Sequence, residues 1–161
     1  MKRLAVMIVL LVLVGVLAFG AGQSEEETAA ASGEVDDPVK LALELAERAT
    51  RGANANYKGT SDTEVAVIMP QLDNAGFRAM YIGSLSAGIE RDASVVTLDA
   101  RNEVDTQLAM IEDMITQQVD SIVFVPVDSA AMSTGVVKAN EAGIPIVAMD
   151  RSTQGGDLTA L

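Results

Sequence analysis

Four short stretches of this chain hold the side chains suited to chemistry. Gln71, Asp73 and Asn74 form the first, and Asp99, Arg101 and Asn102 the second. Asp128, just after Val127, is the third, and Asp150 with Arg151 is the fourth. A carboxylate only accepts hydrogen bonds, a guanidinium only donates them, and a carboxamide does both. A set that mixes the three suits a neutral, hydroxyl-rich small molecule. The same carboxylates admit another reading, with Asp99, Asp128 and Asp150 as oxygen ligands of a magnesium ion in phosphoryl chemistry. That chemistry needs a phosphate cradle. No GxxxxGK[ST] loop occurs, and Gly76 is the only glycine in the turn after the first apolar run, so a dinucleotide pyrophosphate has no cradle there either.

Composition removes whole classes of mechanism. The 161 residues include no His and no Cys. Ser-His-Asp and Cys-His catalysis, imidazole or thiolate metal sites and disulfides are therefore excluded. The formal net charge is -12, from 11 Lys plus Arg against 23 Asp plus Glu. Such a balance opposes nucleic acid, whose phosphates are bound through Lys and Arg.

The elements that must carry the four stretches can be read from patterning. Val65–Met69, Ser94–Leu98, Ile122–Val125 and Ile144–Met149 are short apolar runs of the kind a buried parallel strand requires. Between them, Phe77, Tyr81, Leu85 and Ile89 recur at helical spacing, as do Val104, Leu108, Ile111 and Ile115. Ala130–Asn140 is a third helix, ended by Gly143. Alternating strands and helices predict an α/β fold, a doubly wound parallel sheet with helices on both faces. Ligands of such sheets bind beyond the carboxyl ends of the strands, where all four polar stretches fall.

Upstream, Lys2 and Arg3 precede an uncharged apolar run from Leu4 to Phe19, closed by Gly20, Ala21 and Gly22. This reads as a secretory signal peptide over residues 1–20, cut after Gly20, in preference to a retained anchor. Residues 21–62 read as an acidic linker, with Gln23–Asp37 too polar to build a core. The linker carries one short helix, capped by Asp36 or Asp37 and started by Pro38. Val39, Leu43 and Ala46 form its apolar stripe, widened by Leu41 and Leu45; the helix is expected to be solvated, and Gly52 ends it. The folded part is expected over residues 63–161.

Three stretches in that part carry a family resemblance: VAVIMPQLDNAGF (Val65–Phe77), TLDARNEVDTQLAMIEDMITQQVDSIVFVPVDSAA (Thr97–Ala131) and VKANEAGIPIVAMDR (Val137–Arg151). The last, with its A-x-x-A-G-I-P-[VI]-V-x-x-D ending, is the most specific. Together they resemble the N-terminal lobe of type I periplasmic binding proteins, the ribose-binding-like sugar-binding components of ABC transporters. The resemblance implies that Asn74 bonds sugar hydroxyls, that Phe77 packs on the sugar ring, and that Asp150 and Arg151 grip vicinal hydroxyls. An aromatic face suits the C–H face of a sugar, and a guanidinium fork donates in fixed geometry. Gly76 and Pro70 depart from the pattern, at positions where a second aromatic and a polar contact would often sit.

The resemblance also implies a function. The chain would be the sugar-binding component of an ABC carbohydrate importer, exported to the periplasm, without cofactor, metal or catalysis. Members of the family have two lobes, so this sequence reads as an N-terminal fragment. Its partners would be a small-molecule sugar and a permease or chemoreceptor, with membrane contact only through the leader or the partner. The alternatives are a periplasmic ligand sensor feeding a chemoreceptor and, further off, a small carboxylate-dependent α/β enzyme. The similar lobe of the lactose-repressor family follows a DNA-binding head, whereas this N-terminus reads as an export signal.

Overall fold

The computed structural model describes residues 37–53 and 55–159. The signal peptide expected over residues 1–20 lies outside them, as does nearly all of Gln23–Asp37. Among the described residues no helix is long and apolar enough to cross a membrane.

The strands are β1 (Glu64–Met69), β2 (Ser94–Asp99), β3 (Ser121–Phe124) and β4 (Ile146–Ala148). They form one sheet in the order β2-β1-β3-β4, parallel throughout. Val67 lies opposite Thr97 on one side and Val123 on the other, and Val123 lies opposite Val147. The helices are α1 (Pro38–Thr50), α2 (Ala75–Glu90), α3 (Val104–Gln117) and α4 (Ser133–Glu141).

Strand periodicity divides the core into two layers. Ala66 and Ile68 turn to one face with Ile122, Phe124, Ile146 and Ala148, where Ile111 and Met114 of α3 and Val136 and Ala139 of α4 cover them. Val67, Met69 and Val95 turn to the other face, against Tyr81, Leu85 and Ile89 of α2. The sheet is thus doubly wound, as its patterning predicts. Two element starts differ from expectation by more than one residue, and each has a local cause. Helix α4 begins at Ser133 rather than Ala130, because Asp128 Oδ1 takes the N–H groups of Ala130 (2.8 Å) and Ala131 (2.7 Å) into a turn first. Strand β4 is shortened to Ile146–Ala148, since Pro145 has no N–H for the ladder.

Helix α1 departs from the solvated helix expected. Asp37 caps it through Lys40 N–H (3.0 Å), and Gly52 follows it with φ +74°. Yet Ala42, Leu45 and Ala46 are buried in the layer that holds Tyr81 and Leu85. The buried face is rotated from the expected stripe: Val39 and Leu43 remain 51% and 47% exposed. Two alanines flanking Leu45 at helical spacing let the α1 backbone come close to α2, which a stripe chosen by bulk overlooks. The segment after α1 closes the outer edge of β2, with Tyr57 and Val95 exchanging backbone hydrogen bonds of 3.0 and 2.8 Å. Asn56 Oδ1 accepts from Thr97 N–H (2.9 Å), and Tyr57 Oη donates to Asp92 Oδ1 (3.2 Å). An exposed sheet edge is thereby paired. Gly59 is required in this segment, since a Cβ there would lie 2.0 Å from the Asp92 carbonyl oxygen.

Candidate functional site

The four polar stretches leave the same end of the sheet, and three of them contribute to two clusters there. Asn74, Phe77, Asp150 and Arg151 meet where β1 and β4 end. Asn74 is the N-cap of α2, its Oδ1 accepting from Gly76 N–H (2.8 Å) and Phe77 N–H (3.2 Å). The cap uses only the oxygen of the carboxamide, and the NH₂ donors remain for other work. Phe77, in the first turn of α2, is half-buried against the Tyr81 layer.

Beyond β4 the chain turns sharply. Asp150 has φ +66°, a left-handed conformation that Asp tolerates better than most residues. Arg151 N–H donates to the Met149 carbonyl (2.7 Å). This turn brings the Arg151 guanidinium over the Phe77 ring, 5.8 Å from its centroid, in a cation–π contact. Arg151 Nη2 also lies 3.5 Å from Asp150 Oδ2, with both side chains about two-fifths exposed. So exposed a pair holds itself weakly, so an incoming ligand can redirect both groups at small cost. Ser84 Oγ reaches Met149 Sδ (3.9 Å), tying α2 to the β4 end.

The remaining polar residues are placed otherwise. Gln71, Asp73, Asp99 and Arg101 line cavities at the end of β2, below the C-terminus of α1. Asp128 is spent on the turn before α4. Among the described residues no three acidic side chains come together as a metal site would need, so Asp99, Asp128 and Asp150 do not converge on a magnesium ion.

Gln107 was not singled out by its sequence context, and it positions the third loop. It is completely buried, its Nε2 donating to the Val125 carbonyl (2.9 Å) and its Oε1 accepting from Val127 N–H (2.7 Å). One side chain on α3 therefore clamps both sides of Pro126. The signal was a carboxamide three residues after Val104 and four before Ile111, on the buried stripe of its helix.

Tyr81 is also buried, and its hydroxyl has no hydrogen-bond partner among the described residues. Burial pushes its pKa up to about 12; the nearby Thr97 hydroxyl pulls the other way, and the Asp99 charge adds to the rise. The fold therefore favours the neutral phenol. Its contribution to stability is whole below the ordinary tyrosine pKa of 10.0 and is lost as pH rises towards about 12. Between those limits the wild-type protein should lose about 2–3 kcal/mol more stability than Tyr81→Phe. Denaturant titrations of both proteins at a series of alkaline pH values would measure this, and parallel curves would refute it.

A family model described as a periplasmic binding protein domain matches residues 65–160. The chain belongs to this family. Ribose import binding protein RbsB of Bacillus subtilis (strain 168) is 41% identical over 86 residues, which are 50% of this chain and 28% of that protein. Its counterpart in Salmonella typhimurium is 29% identical over 120 residues, covering 74% and 39% of the two chains. An ABC transporter periplasmic solute binding protein from Actinobacillus succinogenes, solved with bound D-allose, superimposes with a TM-score of 0.55 at 27% identity, over 58% of this chain and 33% of that one. The Caulobacter myo-inositol binding protein shares the fold, with a TM-score of 0.59 at 24% identity over 63% and 35%. This periplasmic binding protein chain thus spans 28% to 39% of the length of these relatives.

Proposed function

We propose that the chain supplies the N-terminal-lobe half of a sugar site in the substrate-binding component of an ABC carbohydrate importer, acting in the periplasm alongside a permease and without catalysing a reaction. The observation that carries this reading is the Arg151 guanidinium held over Phe77, with Asp150 beside it and Asn74 at the start of the same helix. The cluster pairs a ring for C–H contacts with a carboxylate and a fork-shaped donor for hydroxyls, which is how a sugar is recognised. The names of the relatives support it: they are binding proteins for ribose and other sugars or polyols. Residues 1–20 supply the export signal in this reading.

Amide-resolved NMR titration of the whole chain with D-ribose, D-allose and D-xylose tests it. Saturable shifts at Asn74, Phe77, Asp150 and Arg151 are expected, with millimolar affinity because one lobe alone offers half a cleft. Titrations with all three sugars that leave these four amides unmoved would sink the reading.

A further inference from the structure

The second cluster of polar residues, around the end of β2, has no part in that reading. Here the end of α1, the segment after it, α2 and β2 border an open cleft of about 580 Å³, within the roughly 300–1,000 Å³ of small-molecule sites. Leu72 and Ala55 give it apolar wall, and Tyr81, Thr97, Asp99 and Arg101 give it polar groups. None of its lining residues belongs to the Asn74, Phe77, Asp150 and Arg151 cluster.

We propose that this cavity is a second binding site, for a neutral small molecule bearing hydroxyl groups. The Tyr81 hydroxyl is completely buried, borders the cavity and lacks a partner among the described residues. Buried polar groups are normally bonded, and an oxygen placed in the cavity would complete this one. Thr97 Oγ1 donates to Asn56 Oδ1 (3.2 Å), which leaves its lone pairs to accept. Asp99 Oδ1 accepts Arg101 N–H (2.9 Å), and Arg101 adopts φ +53°. One tight turn thus sets a carboxylate and a guanidinium at the same rim. Their charges offset each other, and Arg51, the other charged residue on the lining, is paired with Glu47 at 3.9 Å, so an uncharged guest with both donors and acceptors suits the rim. Leu72, Asp99 and Arg101 also line an adjoining cavity of about 440 Å³, so the groove admits a guest longer than one ring. Its roof, the last turn of α1, precedes the family match at residues 65–160. The site is therefore built by this chain's own N-terminal segment on the family's sheet.

The test is an amide-resolved titration of the whole chain with myo-inositol, ribitol and glycerol. Saturable shifts at Thr97, Asp99 and Arg101 are expected. They should weaken about five- to tenfold in Tyr81→Phe and in Arg101→Ala, an exposed position that leaves the fold intact should Tyr81→Phe perturb it. Arg151→Ala should leave them unchanged, which separates this site from the proposed sugar cluster whether or not that cluster binds. The proposal is overturned if none of the three polyols moves these amides, or if both variants bind as wild type does.

Discussion

Replacing Gln107 with leucine is expected to cost about 1–4 kcal/mol of folding stability. The substitution keeps the volume near that of the native side chain and keeps the helix. It removes both partners of a backbone that has little alternative: the Val125 carbonyl and the Val127 N–H on either side of Pro126. A buried backbone group stripped of its bond costs about 1–3 kcal/mol; Val125 is fully buried and Val127 partly so, so the second loss is the smaller. The transfer of a leucine into the core offsets part of this, at about 1.5–3 kcal/mol against a buried amide that was itself costly only when unpaired. Because a domain has about 5–15 kcal/mol in all, the midpoint of urea unfolding should fall by a large fraction. Gln107→Glu should be damaging as well: its carboxylate still accepts from Val127 but has no proton for Val125, and it adds a buried charge. A Gln107→Leu protein within about 0.5 kcal/mol of wild type would show that the loop after β3 holds its own shape.

That loop illustrates what sequence could and could not disclose. The four strands and the doubly wound order were legible because apolar runs such as Val65–Met69 are buried on both faces, and such runs have few other readings. The positions of Asn74, Asp150 and Arg151 were legible because they follow strands, whose carboxyl ends share one side of a parallel sheet; Phe77 joined them only through the family resemblance. The Arg151–Phe77 contact was not legible, because it depends on the left-handed turn at Asp150 and on α2 leaning across to Met149. The seating of α1 was hidden for a different reason. Its contact face is made of Ala42 and Ala46 around Leu45, and a small residue that permits close approach carries no hydrophobic bulk to mark it. Likewise, the pairing of Tyr57 with Val95 involves a single bridge, too short to leave a periodic pattern.

Arg151→Ala is expected to weaken sugar binding by about ten- to a hundredfold while leaving folding stability within about 0.5 kcal/mol of wild type. The two halves of this expectation have separate causes. Arg151 is 42% exposed, and its pair with Asp150 is a long 3.5 Å contact in solvent, so the folded chain loses almost nothing by lacking it. In the bound state the guanidinium would donate two hydrogen bonds to adjacent hydroxyls. A bond to a charged group is worth about 1.5–3 kcal/mol, and water filling the shortened site restores part of what the second bond gave, so the net loss stays near that of one bond. Its contact with the Phe77 ring also keeps the donor fork near the cluster before the ligand arrives, which reduces the side-chain entropy still to be lost on binding. Arg151→Lys tests which part matters. Lysine keeps the charge but not the planar fork, so an intermediate loss would assign the effect to geometry and a wild-type affinity would assign it to charge alone. Titrations of the three proteins with D-ribose, read at the Asn74 and Phe77 amides, measure this directly. Since Asn74 is fixed by its cap and Phe77 by the core, neither moves when Arg151 is shortened; unchanged affinity in Arg151→Ala would therefore mean that the ligand never reaches the β4 end of the sheet.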